Sequence, residues 1–99
     1  MRDALRNARI AWRRHALERM AEQDIQRSDV LETLLSGEMI EDYPEDEPFP
    51  SGLFLGWRAV RPLHVVAAFD DEGDRAYVIT VYEPDLRHSE PDFRTRRTP

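Results

Sequence analysis

Two residues of the run W-R-R-H-A-L-E-R-M, His15 and Arg19, are four positions apart and would share one side of a helix. An imidazole can take up or release a proton near neutral pH, and a guanidinium can bind a phosphate through two parallel hydrogen bonds. A second histidine, His64, lies in the run L-H-V-V-A-A-F, and the later run R-A-Y-V-I-T-V-Y contains Thr80 and Tyr82. These five residues supply the groups for acid–base chemistry on a phosphate ester.

The first predicted helix covers residues 13–23. Its core-facing arc is defined by four apolar side chains: Ile10, Leu17, Met20 and Ala21. Trp12, His15 and Arg19 then lie together on the opposite side of the helix. This stripe faces either solvent or a second protein surface, and the indole of Trp12 makes plain solvent the less favourable environment.

A second helix is predicted over residues 27–36, with Gly37 after its end. Its N-cap is left open between Asp24 and Ser28, with Gln26 a poorer choice. Four strands follow, at 38–43, 52–60, 63–69 and 75–82. We therefore expect an α+β domain over residues 1–85, in which two N-terminal helices pack on one face of a four-stranded antiparallel sheet. Residues 86–99 are expected to form a polar, loosely ordered tail.

The register of the last two strands decides which polar groups meet. A five-residue loop at 70–74 would pair Phe69 with Arg75. His64 would then lie opposite Thr80, with Tyr82 diagonal to it on the same face. Each residue also fits a purely structural role, His64 as a half-buried histidine and the other two as ordinary strand residues.

Arg58 has two possible positions relative to this cluster. They depend on the turn predicted at the R-P pair, residues 61–62. A two-residue loop there turns Arg58 away from His64, and a three-residue loop brings it to the same face.

Charge is spread unevenly along the chain. The net charge is −6, and all fourteen basic residues are arginines. Residues 1–22 carry six arginines and three acids, a net +3, whereas residues 23–50 carry nine acids and one arginine, a net −8. A nucleic-acid function therefore needs its own local basic face, which the first segment can supply. The acidic segment opposes such binding or attracts a basic partner.

Several classes of protein are disfavoured. The 99 residues contain no cysteine, which excludes disulfides and thiolate metal sites. No apolar run approaches the ~20 residues that cross a bilayer and no signal peptide is recognisable, so we expect a cytoplasmic location without membrane association. The histidines, at 15, 64 and 88, lack metal-ligand spacing, and no glycine-rich phosphate loop is present. We expect neither a metal nor a cofactor.

The order of these segments resembles the bacterial DUF4258 family. The likeness runs from about Trp12 to Asp85 and is carried by H-A-L-E-R-M, I-x-x-x-D-V-x-x-x-L-x-x-G-E-x-I-E-D-Y-P, R-P-L-H-V-V-A and I-T-V-Y-E-P-D. The resemblance implies a RelE-like fold, shared with ribonuclease toxins of toxin–antitoxin modules. It also implies a partner: a small zinc-finger protein, encoded beside this one, that acts as the antitoxin. The positions it marks as functional are His15, Arg19, His64, Thr80 and Tyr82.

The sequence departs from the family pattern at three positions. Arg13 stands where a Ser or Thr N-cap is expected, and Asp24 replaces a frequent glycine between the helices. Each of these changes affects a helix end by about 1 kcal/mol. Ser89 stands where relatives often carry Trp, which weakens the expectation that the tail packs over the sheet.

The resemblance and the residues together favour a metal-independent ribonuclease toxin. In this interpretation His15 and His64 share the acid–base work, Arg19 holds the phosphate, and Thr80 and Tyr82 position it. Three further residues are candidates for RNA binding: Trp12, Arg58 and Arg61. The alternative is a non-catalytic protein-interaction domain with the same fold, which the net negative charge favours. A nucleic-acid-binding regulator is a third interpretation, disfavoured because only residues 1–22 are basic.

Overall fold

A computed structural model describes residues 9–84 as one sheet with two helices on one of its faces. The elements are, in chain order, β1 (Ile10–Trp12), α1 (Arg14–Gln23), α2 (Arg27–Ser36), β2 (Glu38–Tyr43), β3 (Ser51–Arg58), β4 (Arg61–Asp70) and β5 (Arg75–Tyr82). The strand order is β1-β5-β4-β3-β2, with β1 parallel to β5 and the other neighbours antiparallel. Neither described helix is long and apolar enough to cross a membrane.

The expected four-stranded antiparallel sheet is wrong, because β1 adds a fifth strand and makes the sheet mixed. Ala11 pairs with Tyr77, and backbone hydrogen bonds continue the ladder at both ends, from Ala76 N to Arg9 O (3.0 Å) and from Arg13 N to Val78 O (3.1 Å). Three residues are too few to show the alternation that identifies a strand in sequence. Ile10 was assigned instead to the apolar arc of the first helix.

Helix α1 presents a different side to the core from the one expected. Ala16 and Met20 are 0% and 5% exposed, whereas Leu17 is 37% exposed. At about 100° per residue, this rotates the core-facing side by roughly 80° toward Arg19 and His15. Arg19 then lies about 80° and His15 about 120° from the centre of the buried side of α1.

The helix ends are set by residues that sequence alone left undecided. Gln26 is the N-cap of α2, in a capping box in which its backbone N–H donates to Asp29 Oδ2 at 2.9 Å. Asp24 ends α1 in a left-handed conformation (φ 53°), the conformation for which glycine is favoured. Arg13 is the N-cap of α1 and makes no side-chain capping bond.

A β-bulge in β5 redistributes its side chains between the two sheet faces. Ala67 pairs with Val78 but the next residue of β4, Val66, pairs with Thr80, so Ile79 is the extra residue. As a result Val78 and Val81 both belong to the helix-covered core. Strict alternation of side chains along β5 would separate Tyr77 from Thr80 and Tyr82, but all three lie on the sheet face away from the helices. We call this face the second face. From β4, His64, Val66 and Ala68 lie on this face, and from β3, Leu53 and Leu55 do.

Candidate functional site

A pocket of about 450 Å³ lies at one end of the second face, between the start of α1 and the loop of residues 44–50. Its walls include Arg13 and His15 at the start of α1, Glu47 and Phe49 from the loop, and Tyr77 and Ile79 from β5. This volume lies within the range of small-molecule sites in proteins. We call it the His15 pocket.

The loop that closes this pocket is attached to the sheet at two points. The Ser51 hydroxyl donates to Asp46 Oδ2 at 2.5 Å. The Phe49 ring stacks on the Tyr77 ring, with 5.5 Å between ring centroids and 9° between the planes. The Phe49 side chain is therefore held against the sheet, and Glu47 lies in the loop between the two points of attachment.

His15 and Arg13 reach the pocket because the chain leaves the sheet at this point. The last hydrogen bond of the β1–β5 ladder is made by the N–H of Arg13, and α1 begins at the next residue. The Arg13 guanidinium carbon lies 5.4 Å from the centroid of the Tyr77 ring, a cation–π contact. His15 is exposed, so its imidazole is open to a ligand. One pocket thus combines an imidazole, a guanidinium and a carboxylate.

His64 and Tyr82 form a second polar group on the same face. They are directly opposite each other in the β4–β5 ladder. The Tyr82 hydroxyl lies 3.3 Å from His64 Nδ1, and the rings meet edge-on at 76°. His64 is only 3% exposed, whereas Tyr82 is half-buried. Thr80 is on the same face and pairs with Val66, not with His64 as expected.

The two groups occupy opposite ends of the second face. Ala68 lines the His15 pocket, and His64 is four residues from it along β4. At about 3.3 Å per residue this is a separation of about 13 Å. His64 is not among the residues that line the pocket around His15. The structure therefore brings His64, Thr80 and Tyr82 onto one face but places His15 in a separate pocket.

The remaining arginine candidates make ion pairs. Arg19 is exposed and lies 3.7 Å from Glu22. Arg61 donates to both carboxylate oxygens of Glu83, at 2.8 Å from its Nε and 2.5 Å from its Nη2. Carboxylate partners lower the availability of these guanidinium groups for a phosphate. The RNA-binding role of Arg61 and the phosphate-binding role of Arg19 stay predictions.

Arg58 is turned away from the second face. The turn after β3 consists of Ala59 and Val60, and Arg58 pairs directly with Arg61, so the expected turn at residues 61–62 is wrong. Arg58 Nη1 donates to the backbone oxygen of Asp24 at 3.0 Å. Its guanidinium also lies 3.7 Å from Asp29 and 3.3 Å from Glu83. Arg58 thus connects Asp24, between the two helices, with Glu83, just after β5.

Trp12 has a different environment from the one its helical assignment implied. It is the last residue of β1, half-buried and packed against the helix-covered core. The Arg27 guanidinium carbon lies 5.4 Å from the centroid of its ring. Base stacking on Trp12 stays a prediction.

Of the residues that line the His15 pocket, only His15 is a candidate from sequence; Arg13, Glu47, Phe49 and Tyr77 are among those that the sequence does not indicate. Arg13 stands at the expected cap of the first helix, and the acidic residues 41–47 are typical of a solvated linker. Strict alternation along the last strand would put Tyr77 on the face opposite Thr80 and Tyr82, whereas the bulge at Ile79 brings all three to one face. A local signal for this pocket is absent from the sequence, since its two sides are about thirty residues apart.

A model of a domain of unknown function, DUF4258, matches residues 12–83. The chain belongs to the DUF4258 family. The matched region runs from the end of β1 to just beyond β5 and includes both the His15 pocket and the His64–Tyr82 pair. No curated protein and no solved structure matches the chain. The DUF4258 family is described only as a domain of unknown function, so the match assigns no activity. The RelE-like fold stays a prediction, as do the catalytic roles of five residues: His15, Arg19, His64, Thr80 and Tyr82.

Proposed function

We propose that this DUF4258 domain cleaves single-stranded RNA with its own side chains, and that the His15 pocket is the active site. The observation that carries the proposal is the set of groups lining this one pocket: the His15 imidazole, the Glu47 carboxylate and the Arg13 guanidinium. Phosphodiester cleavage by the neighbouring 2′-hydroxyl needs a base, an acid and a cation beside the phosphorus. These three side chains match that requirement.

The reaction balances with these groups alone. Glu47 takes the proton of the 2′-hydroxyl, and the 2′-oxygen forms a bond to phosphorus. The bond from phosphorus to the 5′-oxygen breaks, and the His15 imidazolium donates its proton to that oxygen. The products are a 2′,3′-cyclic phosphate and a 5′-hydroxyl. Arg13 stabilises the additional negative charge on the phosphorane through its N–H donors.

Two neighbouring features fit an RNA strand at this pocket. Phe49 supplies an aromatic ring at the wall, and aromatic rings bind unstacked bases with little dependence on sequence. Arg19 lies one helical turn beyond His15, about 5–6 Å along α1, which suits contact with the adjacent phosphate. Because Arg19 is exposed and its ion pair with Glu22 spans 3.7 Å, the bond to Glu22 is easily exchanged for a phosphate.

The proposal gives His64 and Tyr82 no proton transfer at this phosphate. His64 does not line the His15 pocket and is only 3% exposed, which keeps its imidazole from the reacting atoms. Thr80, on the second face, is the residue that would contact a neighbouring nucleotide. This assignment makes His15 and His64 separable in an experiment.

The proposal also includes a toxin role, with an antitoxin that blocks the His15 pocket. The resemblance to toxin–antitoxin proteins suggests this role, and a zinc-finger protein encoded nearby is the partner it implies. A partner that covers Arg13 and His15 would prevent RNA from entering. Expression of the domain without the partner should then arrest growth, and co-expression should restore it.

The cleavage reaction is tested directly on a 5′-labelled single-stranded RNA and the same sequence as DNA, both in EDTA. The proposal requires RNA fragments that end in 2′,3′-cyclic phosphate, with the DNA left intact because it lacks the attacking hydroxyl. Intact RNA at high protein concentration, or cleavage of both strands, contradicts the proposed reaction.

The second candidate is a non-catalytic interaction domain. It is favoured by the ion pairs that occupy Arg58 and Arg61 and by the carboxylates of Asp46 and Glu47 at the pocket, which repel a polyanion. Intact RNA together with a protein partner that binds at the His15 pocket would support this candidate over cleavage.

A further inference from the structure

The middle of the second face is buried although no helix or strand of residues 9–84 lies over it. Leu53 and Leu55 of β3 are 0% and 3% exposed, and neither belongs to the helix-covered core. His64, which pairs with Leu55 in the β3–β4 ladder, is 3% exposed. A leucine in the middle of an uncovered sheet face keeps part of its side chain in contact with water. Another part of the chain therefore covers this face.

The strand register divides the second face into three rows that cross the sheet from β5 to β2. Row 1 contains His64 and Leu55, row 2 contains Val66 and Leu53, and row 3 contains Ala68 and Ser51. The loop of residues 44–50 lies at row 3, because its Asp46 accepts a hydrogen bond from Ser51 and Ala68 lines the pocket that this loop closes. Rows 1 and 2 need a different cover.

The segment of residues 85–99 begins beside row 1. Strand β5 ends at Tyr82, directly opposite His64, and the described part of the chain ends two residues later at Pro84. Fully extended, the remaining residues span about 50 Å. From β5 to β2 there are three strand spacings, about 14 Å in all. This segment is therefore long enough to cross rows 1 and 2.

The segment of residues 1–8 begins in a less suitable place. It precedes β1, the edge strand beside β5, and the backbone oxygen of Arg9 accepts a hydrogen bond from Ala76 at the start of β5. That start is the end of β5 away from row 1. To reach Leu55, residues 1–8 would have to pass over both β5 and β4.

Residues 85–99 contain apolar side chains that suit the buried leucines. Their sequence is D-L-R-H-S-E-P-D-F-R-T-R-R-T-P, in which Leu86 and Phe93 are the large apolar residues. Contact between these side chains and Leu53 or Leu55 removes apolar surface from water on both sides, which is favourable in proportion to the area removed.

The charges of the segment and of the face are complementary at the β2 edge. Residues 93–99 carry three arginines and no acid. Glu38 and Glu41 of β2 pair with Leu55 and Leu53, so they extend rows 1 and 2 to this edge. Both acids have interaction partners. Guanidinium groups bind carboxylates with charge-assisted hydrogen bonds, which favours a path that ends at β2.

We infer that residues 85–99 cross the second face from β5 to β2. Their apolar side chains pack on Leu53 and Leu55, and the arginines of residues 93–99 lie beside Glu38 and Glu41. This inference departs from the expectation of a loosely ordered tail at 86–99, which lies outside the described residues. The folding unit then extends beyond residue 83, where the match to the DUF4258 model ends. The inference is independent of RNA cleavage, because neither leucine lines the His15 pocket.

The first test uses the methyl groups of Leu53 and Leu55 in the full chain, labelled with ¹³C for NMR. We expect nuclear Overhauser effects from these methyl groups to side-chain protons of residues 85–99, including those of Leu86 or Phe93. Effects to residues 1–8 instead, or no effect to any residue outside 9–84, would overturn the inference.

Two shortened chains form a matched pair for the second test. One ends at Pro84 and the other begins at Arg9. Because the first loses the cover of two buried leucines, its Tm should fall by about 10 °C or more, and it should bind the apolar dye ANS. The chain that begins at Arg9 should keep the wild-type Tm. Equal changes in the two chains, or an unchanged Tm on ending at Pro84, would contradict the inference. If the chain ending at Pro84 does not fold, the Overhauser effects in the full chain decide.

Discussion

The Tyr82 hydroxyl lies 3.3 Å from Nδ1 of His64, directly across the β4–β5 ladder. The imidazole is 3% exposed, so its polar atoms depend on partners within the protein. Tyr82→Phe should lower the free energy of unfolding by about 0.5–1.5 kcal/mol, measured by urea denaturation. Because the pair is distant from the His15 pocket, RNA cleavage should change less than threefold. If folded Tyr82→Phe protein cleaved RNA a hundredfold or more slowly than wild type, the His64–Tyr82 pair would belong to the catalytic site.

Glu47 is the proposed base, and Glu45 is its control. Both are exposed residues of the same acidic loop, but only Glu47 lines the His15 pocket. Glu47→Gln preserves the shape and removes the proton acceptor, so the rate of RNA cleavage should fall by about 10²–10⁴-fold. Glu45→Gln should keep the wild-type rate. If the two variants are equally active, the base lies elsewhere.

Arg13 and Arg14 are neighbours with different predicted roles. Arg13 lines the His15 pocket beside Tyr77, whereas the Arg14 side chain is 93% exposed and pairs with Glu18 at 3.0 Å. Arg13→Gln removes the cation proposed to stabilise the phosphorane and should lower kcat by about 10²–10³-fold. Arg14→Gln removes the same charge from outside the pocket, so a comparable drop in kcat would indicate a long-range charge effect.

Gly56 is a test of the close approach between α2 and β3. An added Cβ would lie 2.2 Å from Oγ1 and 2.8 Å from Cβ of Thr33, which is buried and has little room to move. Gly56→Ala should destabilise the fold by about 1–3 kcal/mol, visible as a lower Tm. Gly52→Ala is the control, because its nearest contacts would be 3.3 Å or more. Equal changes in Tm would mean that the helix does not constrain Gly56.

Much of the local structure follows from the sequence. The prediction of α2 over residues 27–36 is confirmed, as are β2 over 38–43 and the last strand over 75–82. Each of these has a clear apolar period or a glycine, proline or charged segment at its end. The strand β1 was missed because its stability comes from pairing with β5, a partner more than sixty residues away.

The register of β4 and β5 shows how two errors can cancel. The loop between the strands has four residues, not five, because Asp70 pairs with Arg75. That shift alone would have moved His64 to the face opposite Thr80 and Tyr82. The bulge at Ile79 shifts the register by one more residue and restores the common face, with Tyr82 now opposite His64. Neither the loop length nor the bulge has a distinctive local sequence.

The central claim is that His15 performs proton transfer in an RNA-cleaving pocket. The most direct measurement compares the rate of cleavage of one single-stranded RNA by wild type and His15→Gln, with His64→Gln as the second histidine variant. His15 is exposed, so His15→Gln should keep the wild-type circular dichroism spectrum and Tm while cleavage falls by about 10²–10⁴-fold. Folded His64→Gln should retain cleavage. Equal rates for wild type and His15→Gln, or no cleavage by wild type, would contradict the claim.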